Sequence, residues 1–215
     1  MITDITPLLG KIHNCDCLEF MKQLPDKCVD LVLTDPPYGV GENYTQFNDT
    51  TENLKTLIDC FVPECLRIGK LVVISTGVKN MFLYPRPTWV LNWHTPAGSG
   101  VGPWGFCTWQ PILVYGKDPF MANGKGSRPD VIVHTETSEK NGHPCPKPEK
   151  LWSKLLNRVS VLDTDLVFDP FMGSGTTALV CEKKSIKWFG CELEPKYVEI
   201  ANKRIEAERA QLKLF

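Results

Sequence analysis

The chain has 215 residues, of which 42% are hydrophobic, and its formal net charge is −1 at pH 7. This length supports one sizeable core rather than two, and the balanced charge excludes indiscriminate polyanion binding, although a local basic face remains compatible with it. The chain start has no signal-peptide pattern, and no apolar run predicts a membrane span. Its nine cysteines are odd in number and irregularly spaced, so we expect reduced thiols and no metal site.

The first predicted strand, Val29–Leu33, is followed by Thr34 and then by Asp35-Pro36-Pro37-Tyr38. Prolines hold φ at about −65° and cannot donate a hydrogen bond to a neighbouring strand, so the strand must end before them. Strand ends are where ligands bind in open α/β sheets, which makes this tetrapeptide a candidate site. From these residues alone, a turn-forming acid and an aromatic at the core edge explain the pattern equally well.

A helix and a second strand are predicted next. Apolar residues recur at helical spacing and stop near a glycine, and an uninterrupted apolar run follows. The positions are Leu54, Leu57, Ile58 and Phe61 for the helix, Gly69 for its end and Leu71–Ile74 for the strand. Strands that alternate with helices predict an α/β fold with a mostly parallel twisted sheet and helices on both faces.

The middle of the chain has a different composition. Residues 85–148 hold ten of the seventeen prolines and eight of the sixteen glycines, which is typical of turns and loops. Two strand-like runs, Thr88–Trp93 and Pro111–Tyr115, lie within it. We therefore expect a single domain over residues 1–215, in which residues 85–142 form a loop-rich insertion at its edge.

The carboxyl-terminal third begins with a helical stripe over Leu151–Val159, entered through Pro148. A short strand, Leu166–Phe168, then leads through Asp169 into a Gly173-Ser174-Gly175 turn and a helix that begins near Thr176. Glycines let the backbone approach a ligand, and the N–H groups of a helix start favour polar or anionic groups. An ordinary strand-to-helix turn explains the same pattern equally well.

The last predicted strand, Ile186–Cys191, ends at Glu192, and a helix begins at Pro195. An acid at this strand end is placed to accept hydrogen bonds from a ribose diol. We expect Glu194, directly before the proline, to cap the helix and to leave Glu192 free for a ligand. The two turns together predict a nucleoside-containing cofactor, and the absence of a Gly-x-Gly-x-x-Gly motif argues against NAD.

Taken together, these motifs resemble those of DNA amino-methyltransferases that use S-adenosylmethionine. The matching segments are DPPY at 35–38, DPFMGSGTT at 169–177 and FGCELEPKYVEIANKRI at 189–205, with NCDCLEFMKQLPDKCVDLVLTDPPY at 14–38 and HPCPKPEKLWSKLL at 143–156. The catalytic tetrapeptide precedes the cofactor turn, which is similar to the circularly permuted order of the beta class. The resemblance implies a single-domain Rossmann-like methyltransferase fold.

The resemblance also implies which part of the cofactor each residue binds. S-adenosylmethionine would be bound through one set of residues, with Glu192 at the ribose, Asp16 and the Cys17 backbone at the adenine, and Lys147 at the carboxylate. The full set of cofactor candidates is Asp16, Cys17, Lys147, Asp169, Phe171, Gly173, Ser174, Gly175, Thr176 and Glu192. An N-cap for Asp16 and a surface position for Lys147 are the alternatives.

For catalysis the resemblance implies that Asp35 and the Pro36 carbonyl, fixed by Pro37, accept the N–H groups of a target amine, with Tyr38 stacking on the base. The base would be flipped out of double-stranded DNA. Adenine N6 is favoured by the aspartate, cytosine N4 is the alternative, and an RNA or protein methyltransferase is a more distant one. Lys125 and Arg128 are candidates for a basic face, and a homodimer stays open. The family implies a cytoplasmic protein of a bacterium or phage.

Overall fold

The computed structural model describes residues 2–96, 98, 100–135, 142, 144–160 and 165–212. The strands are β1 Ile12–Asn14, β2 Val29–Thr34, β3 Gly69–Ser75, β4 Trp89–His94, β5 Val101–Gly102, β6 Gly105–Phe106, β7 Trp109–Tyr115, β8 Val131–Val133, β9 Leu166–Asp169 and β10 Lys187–Glu192. The helices are α1 Cys17–Met21, α2 Thr51–Ile68, α3 Pro119–Ala122, α4 Glu149–Val159, α5 Thr176–Lys183 and α6 Pro195–Leu212.

The central strands are buried on both faces, which explains their uninterrupted apolar sequences. In β2, Val29 and Val32 pack into the core on the side of α2, whereas Leu31 and Leu33 pack into the core that α4, α5 and α6 cover. Successive side chains of a strand point to opposite faces, so a strand between two helical layers must be apolar at nearly every position. The predicted α/β fold with helices on both faces is confirmed.

One eight-stranded sheet has the order β1-β10-β9-β2-β3-β7-β4-β8. The pairs from β1 to β3 are all parallel. Strands β2 and β9 are neighbours in the centre, yet α2 leads from β2 to β3 on one side and α5 leads from β9 to β10 on the other. The chain thus changes direction between β2 and β9, and their carboxyl ends form the crevice where ligands bind in such sheets.

The middle segment extends the same sheet. Strand β7 is antiparallel to β3, and β4 is antiparallel to β7, so the two strand-like runs of this segment become inner strands between β3 and the edge strand β8. The short hairpin β5–β6 stands apart and carries Trp104 and Phe106, whose side chains are largely exposed. The sequence did not predict this hairpin, because strands of two residues have no measurable periodicity.

The predicted helices and the four apolar strands are present, with small shifts at their ends. Strand β10 begins one residue later than expected, at Lys187, and α2 ends as predicted at Gly69. Strand β1 was missed, since three residues are too short for a periodic signal, whereas α1 follows the N-cap alternative raised for Asp16. Among the described residues, no helix is both long and apolar enough to span a membrane.

Gly190 on β10 allows the closest approach between two central strands. A Cβ atom there would lie 2.5 Å from the Asp169 carbonyl oxygen and would also overlap the Met172 Cε methyl. We expect Gly190→Ala to lower the free energy of unfolding by about 1–3 kcal/mol, because the paired backbone must move.

Urea unfolding measures this change. Gly124→Ala is the control. A Cβ added at this exposed glycine would have no atom within 4 Å, so its only cost comes from the φ of +68°, which for alanine is about 1 kcal/mol. Losses of equal size in the two variants would contradict the steric explanation.

Candidate functional site

The crevice between β2 and β9 opens into a cavity of about 300 Å³. A hydrogen bond joins the two strand ends, since the Thr34 hydroxyl at the end of β2 donates to Asp169 Oδ1 at the end of β9, 2.6 Å away. Residues that follow both strand ends, Asp35 and Phe171 among them, line this cavity. Two motifs from opposite ends of the sequence therefore meet at one site.

Asp169 is the most deeply buried acid of this site. Its second oxygen accepts a 2.5 Å hydrogen bond from the Thr177 hydroxyl, which in turn accepts the Trp152 indole N–H, and Oδ1 also accepts the Phe171 N–H. Burial raises the pKa of Asp169 to about 7, although these hydrogen bonds oppose the rise. Asp169 thus joins β2, β9, the turn after β9 and α5.

The Asp35-Pro36-Pro37-Tyr38 segment is held by the Tyr38 side chain. The phenol donates to Asp35 Oδ1 and also bonds the Ser75 hydroxyl of β3, both at 2.7 Å. Burial, and next the Asp35 charge, raise the pKa of Tyr38, so its hydroxyl stays protonated. Asp35 and Pro37 line the cavity, Pro36 is buried, and the Tyr38 ring packs on Gly77.

Lys147 contacts both Asp35 and Tyr38 of this segment. Its ammonium forms an ion pair with Asp35 Oδ2 at 2.7 Å and is 4.6 Å from the centroid of the Tyr38 ring. The alternative of a surface lysine is wrong, because its side chain is only 12% exposed. Of the motif that contains it, His143 lies outside the described residues, and Pro148 begins α4 as predicted.

The loop after Tyr38 is organised by a buried acid that the sequence did not reveal. The Asp49 carboxylate accepts hydrogen bonds from four successive backbone N–H groups, those of residues 39–42, at 2.7–3.1 Å. The loop then places Tyr44, Gln46 and Phe47 on the cavity wall. Burial, followed by the charge of Asp35, raises the pKa of Tyr44.

In the turn after β9, the predicted residues divide into two groups. Phe171, Gly173, Ser174 and Thr176 line the cavity together with Asp169. Gly175 is not among the lining residues, so its contact with the cofactor stays a prediction. It has a left-handed φ of +83° and packs on α6, where an added Cβ would lie 2.7 Å from that of Ala201.

Glu192, the last residue of β10, and Glu194 both accept backbone N–H groups of loop residues. Glu192 accepts the backbone N–H groups of Gly173 at 2.7 Å and Glu194 at 2.8 Å. The Glu194 carboxylate bonds the Gln46 N–H at 2.6 Å, on a loop that lines the cavity. Its backbone carbonyl accepts the Val198 N–H at 3.2 Å in the first turn of α6, and capping by its side chain stays a prediction. Glu192 nevertheless lines the cavity, and burial raises the pKa of its carboxyl.

Asp16 and Cys17 lie at the start of α1. Asp16 caps this helix, accepting the Leu18 N–H at 2.7 Å, and both residues line the cavity. The expected N-cap is therefore confirmed, and a further contact of Asp16 with a ligand is compatible with it because a carboxylate has several acceptor positions. Cys15, which the sequence did not single out, also lines the cavity.

The cavity suits a nucleoside that carries an amino-acid chain. Leu57, Phe171 and Met172 provide apolar surface, while the carboxylates of Asp16 and Glu192 provide acceptors for an amine and a diol. Pockets for small molecules combine apolar walls with a few placed polar groups in this way. Groups of His, Cys, Asp or Glu that could hold a metal ion are absent from the described ranges.

A family model described as DNA methylase, for amino groups at N6 and N4, matches residues 85–203, more than half of the chain. The chain belongs to this DNA methylase family. It is therefore a DNA amino-methyltransferase that uses S-adenosylmethionine and acts on double-stranded DNA.

Curated relatives agree with this membership. The Type II methyltransferase M.HpaI of Haemophilus parainfluenzae is 26% identical over 90% of this chain and 73% of its own. M.HinfI of Haemophilus influenzae is 27% identical over 95% of this chain and 70% of its own. M1.MboII of Moraxella bovis is 28% identical, over 90% of this chain and 95% of its own.

Solved structures share the fold. The PvuII DNA methyltransferase, cytosine-N4-specific, aligns with a TM-score of 0.68 and 19% identity over 90% of this chain and 87% of its own. M1.HpyAVI in complex with S-adenosylmethionine aligns with a TM-score of 0.63 and 22% identity over 91% and 98%. The methyltransferase fold is therefore shared, although the sequences have diverged widely.

The raised pKa of Asp169 predicts how stability depends on pH. The folded protein holds this proton more tightly than the unfolded chain, so between about pH 4 and pH 7 its contribution to the free energy of unfolding falls as pH rises, by at most about 1.4 kcal/mol per unit. We expect Asp169→Asn to flatten this slope, because the amide cannot titrate.

Urea unfolding of both proteins at pH 5, 6 and 7 measures the difference. Buried Glu192, whose pKa is also raised, contributes equally to both proteins and cancels. Parallel slopes would show that Asp169 ionises normally in the folded state.

Proposed function

We propose that this methyltransferase transfers the methyl group of S-adenosylmethionine to the exocyclic N6 amine of adenine in duplex DNA, after the base is flipped out. One observation carries the proposal, namely that a single cavity is lined both by Asp35 and Pro37 and by Gly173 and Glu192. A nucleophile next to the first pair would meet a cofactor bound at the second.

In this proposal the cofactor supplies an electrophilic methyl group on a positively charged sulfur. Glu192 accepts the ribose hydroxyls, and Asp16 with the Cys17 backbone bonds the adenine ring edge. Phe171, Gly173, Ser174 and Thr176 enclose the ribose and methionine part, since all of them lie on the cavity wall. Asp169 acts indirectly, through its bonds to Thr34 and the Phe171 N–H.

Asp35 and the Pro36 carbonyl are the proposed acceptors of the target amine. Two acceptors in fixed positions turn the nitrogen lone pair out of conjugation and align it with the methyl carbon. As the nitrogen–carbon bond forms, the electron pair of the carbon–sulfur bond returns to sulfur, and Asp35 is placed to receive the proton that the nitrogen releases. The bond from the Tyr38 phenol supports this role by orienting the carboxylate.

The proposed surface for the flipped base is aromatic. The resemblance assigns stacking to Tyr38, and Tyr44 supplies a second aromatic side chain on the cavity wall. Aromatic faces stack on any base, so these side chains support a flipped nucleotide without selecting it. Selection between bases then depends on the polar groups around Asp35.

Residues 85–142 are proposed as the target-recognition region. Strand β7 of this region pairs with β3, where Ile112 lies opposite Ser75, and the exposed hairpin β5–β6 belongs to the same region. Exposed Lys125 and Arg128 supply positive charge for a phosphate backbone. A homodimer that shares recognition between subunits belongs to this proposal, as do the beta-class motif order and a place in the cytoplasm of a bacterium or phage-infected cell.

Cytosine N4 is the second candidate acceptor. The PvuII enzyme, which shares the fold of this chain, is cytosine-N4-specific, and an exocyclic amine next to a ring nitrogen is common to both bases. Adenine remains the first choice because an aspartate stands at position 35, the residue that the family associates mainly with adenine.

Asp35→Ala tests the catalytic assignment. We expect turnover to fall at least about 100-fold, because the amine loses its acceptor, whereas cofactor affinity changes by no more than about threefold. Asp59→Ala, which removes an exposed acid paired with Lys55, is the matched control. Mass spectrometry of nucleosides from methylated DNA gives both the rate and the modified base. If only N4-methylcytosine is found, the acceptor is cytosine and not adenine. If the variant retains its turnover, Asp35 is excluded from catalysis.

Glu192→Ala tests the cofactor assignment. We expect S-adenosylmethionine to bind about 10- to 100-fold more weakly, since hydrogen bonds to a charged group contribute about 1.5–3 kcal/mol. Calorimetric titration of the folded variant measures this, with the exposed Glu199→Ala as control. Unchanged affinity would remove Glu192 from the binding site.

A further inference from the structure

Lys147 makes, without DNA, the two contacts that the proposed function assigns to the target base. Its ammonium donates to Asp35, the proposed acceptor of the target amine, and it lies over the ring of Tyr38, the proposed stacking surface. The Tyr38 phenol already donates to Asp35 Oδ1, so an ammonium and an exocyclic amine, which are both N–H donors, would compete for Oδ2.

We propose that Lys147 occupies the site of the target amine in the DNA-free protein and must leave Asp35 before a base can enter. This inference rests on the proposed function. It also assigns the anion that draws the lysine away, namely the carboxylate of the cofactor, which enters the same cavity. Lys147 would thereby couple the binding of cofactor to the binding of the flipped base.

The electrostatics of the cavity explain why a cation is needed there. The Asp35 side chain is only 19% exposed, and the buried carboxyl of Asp169 is near enough to feel its charge. A half-buried carboxylate without a partner is costly, and an ion pair or a hydrogen-bonded base each reduces that cost. Lys147 satisfies Asp35 until the base arrives.

The backbone of Lys147 is held at the start of α4, while its side chain lines the cavity. Its carbonyl faces the Thr176 hydroxyl at 3.4 Å, and Pro148 directly after it begins α4, whose Trp152 is buried. A lysine has a flexible four-carbon stem with a charge at its tip. The ammonium can thus exchange Asp35 for another anion on the same wall without a change in the fold.

Binding linkage gives the consequence that can be measured. If the cofactor carboxylate removes Lys147 from Asp35, then cofactor and flipped base must each strengthen the binding of the other by the same factor. A ligand without the carboxylate cannot produce this effect. Removal of the lysine charge should strengthen the binding of the flipped base even when no cofactor is bound.

The experiment uses a duplex that contains the methylation site, with 2-aminopurine beside the target base, whose fluorescence reports flipping. For the wild type we expect S-adenosylhomocysteine to raise the affinity for the flipped state at least about fivefold. Methylthioadenosine, which lacks the carboxylate, should change it less than about twofold.

The decisive variant is Lys147→Met, which keeps the length of the side chain and removes its charge. We expect flipping without any cofactor analogue at the level that the wild type reaches with S-adenosylhomocysteine, and less than about twofold coupling thereafter. Lys203→Met, on the exposed face of α6, is the control and should behave as wild type. A thermal unfolding midpoint close to that of the wild type shows that the variant is folded.

Two results would overturn the inference. Weaker flipping in Lys147→Met would mean that the lysine supports Asp35 during catalysis, and unchanged coupling would mean that it does not connect the two ligands. Both leave the methyltransferase proposal intact. If the wild type flips no base and leaves no methylated nucleoside, the proposed function itself fails, and this inference fails with it.

Discussion

The site depends on one buried carboxylate. Asp169 accepts hydrogen bonds from Thr34, which is 135 residues away along the chain, and from Thr177 at the start of α5. These bonds join the end of β2 to the end of β9 and hold the segments that follow these two strands at one crevice. Because each donor comes from a different element, the relative position of the two segments is set before any ligand binds.

Other carboxylates of the site organise backbone in the same manner. Asp49 gathers the N–H groups of residues 39–42, and Glu192 holds those of Gly173 and Glu194. A loop that must curve around a cavity cannot satisfy its N–H groups within a helix or sheet, so acceptors from side chains take their place. Asp35 differs from these acids, because a cation rather than a backbone N–H balances its second oxygen.

Much of the fold and many members of the site were predictable from the sequence, for identifiable reasons. Strands buried on both faces require unbroken apolar runs, and the prolines at positions 36 and 37 and the glycines after Asp169 locate the ends where a ligand binds. Asp49 was missed, since an acid that bonds backbone seven to ten residues earlier has no local pattern. Strand β1 was missed as well, because three residues in the sheet depend on β10 for their definition.

The amino-acid sequence alone was sufficient for the fold class, the central strands and helices, and many of the residues around the cavity. These properties follow from local backbone preferences and from periodic burial, both of which act over a few neighbouring residues. The partners of the charged groups emerged only in the folded chain. Glu192 bonds a glycine turn, Gly175 packs on α6, and Lys147 pairs with Asp35, because such contacts depend on distances through space between segments that lie far apart along the chain.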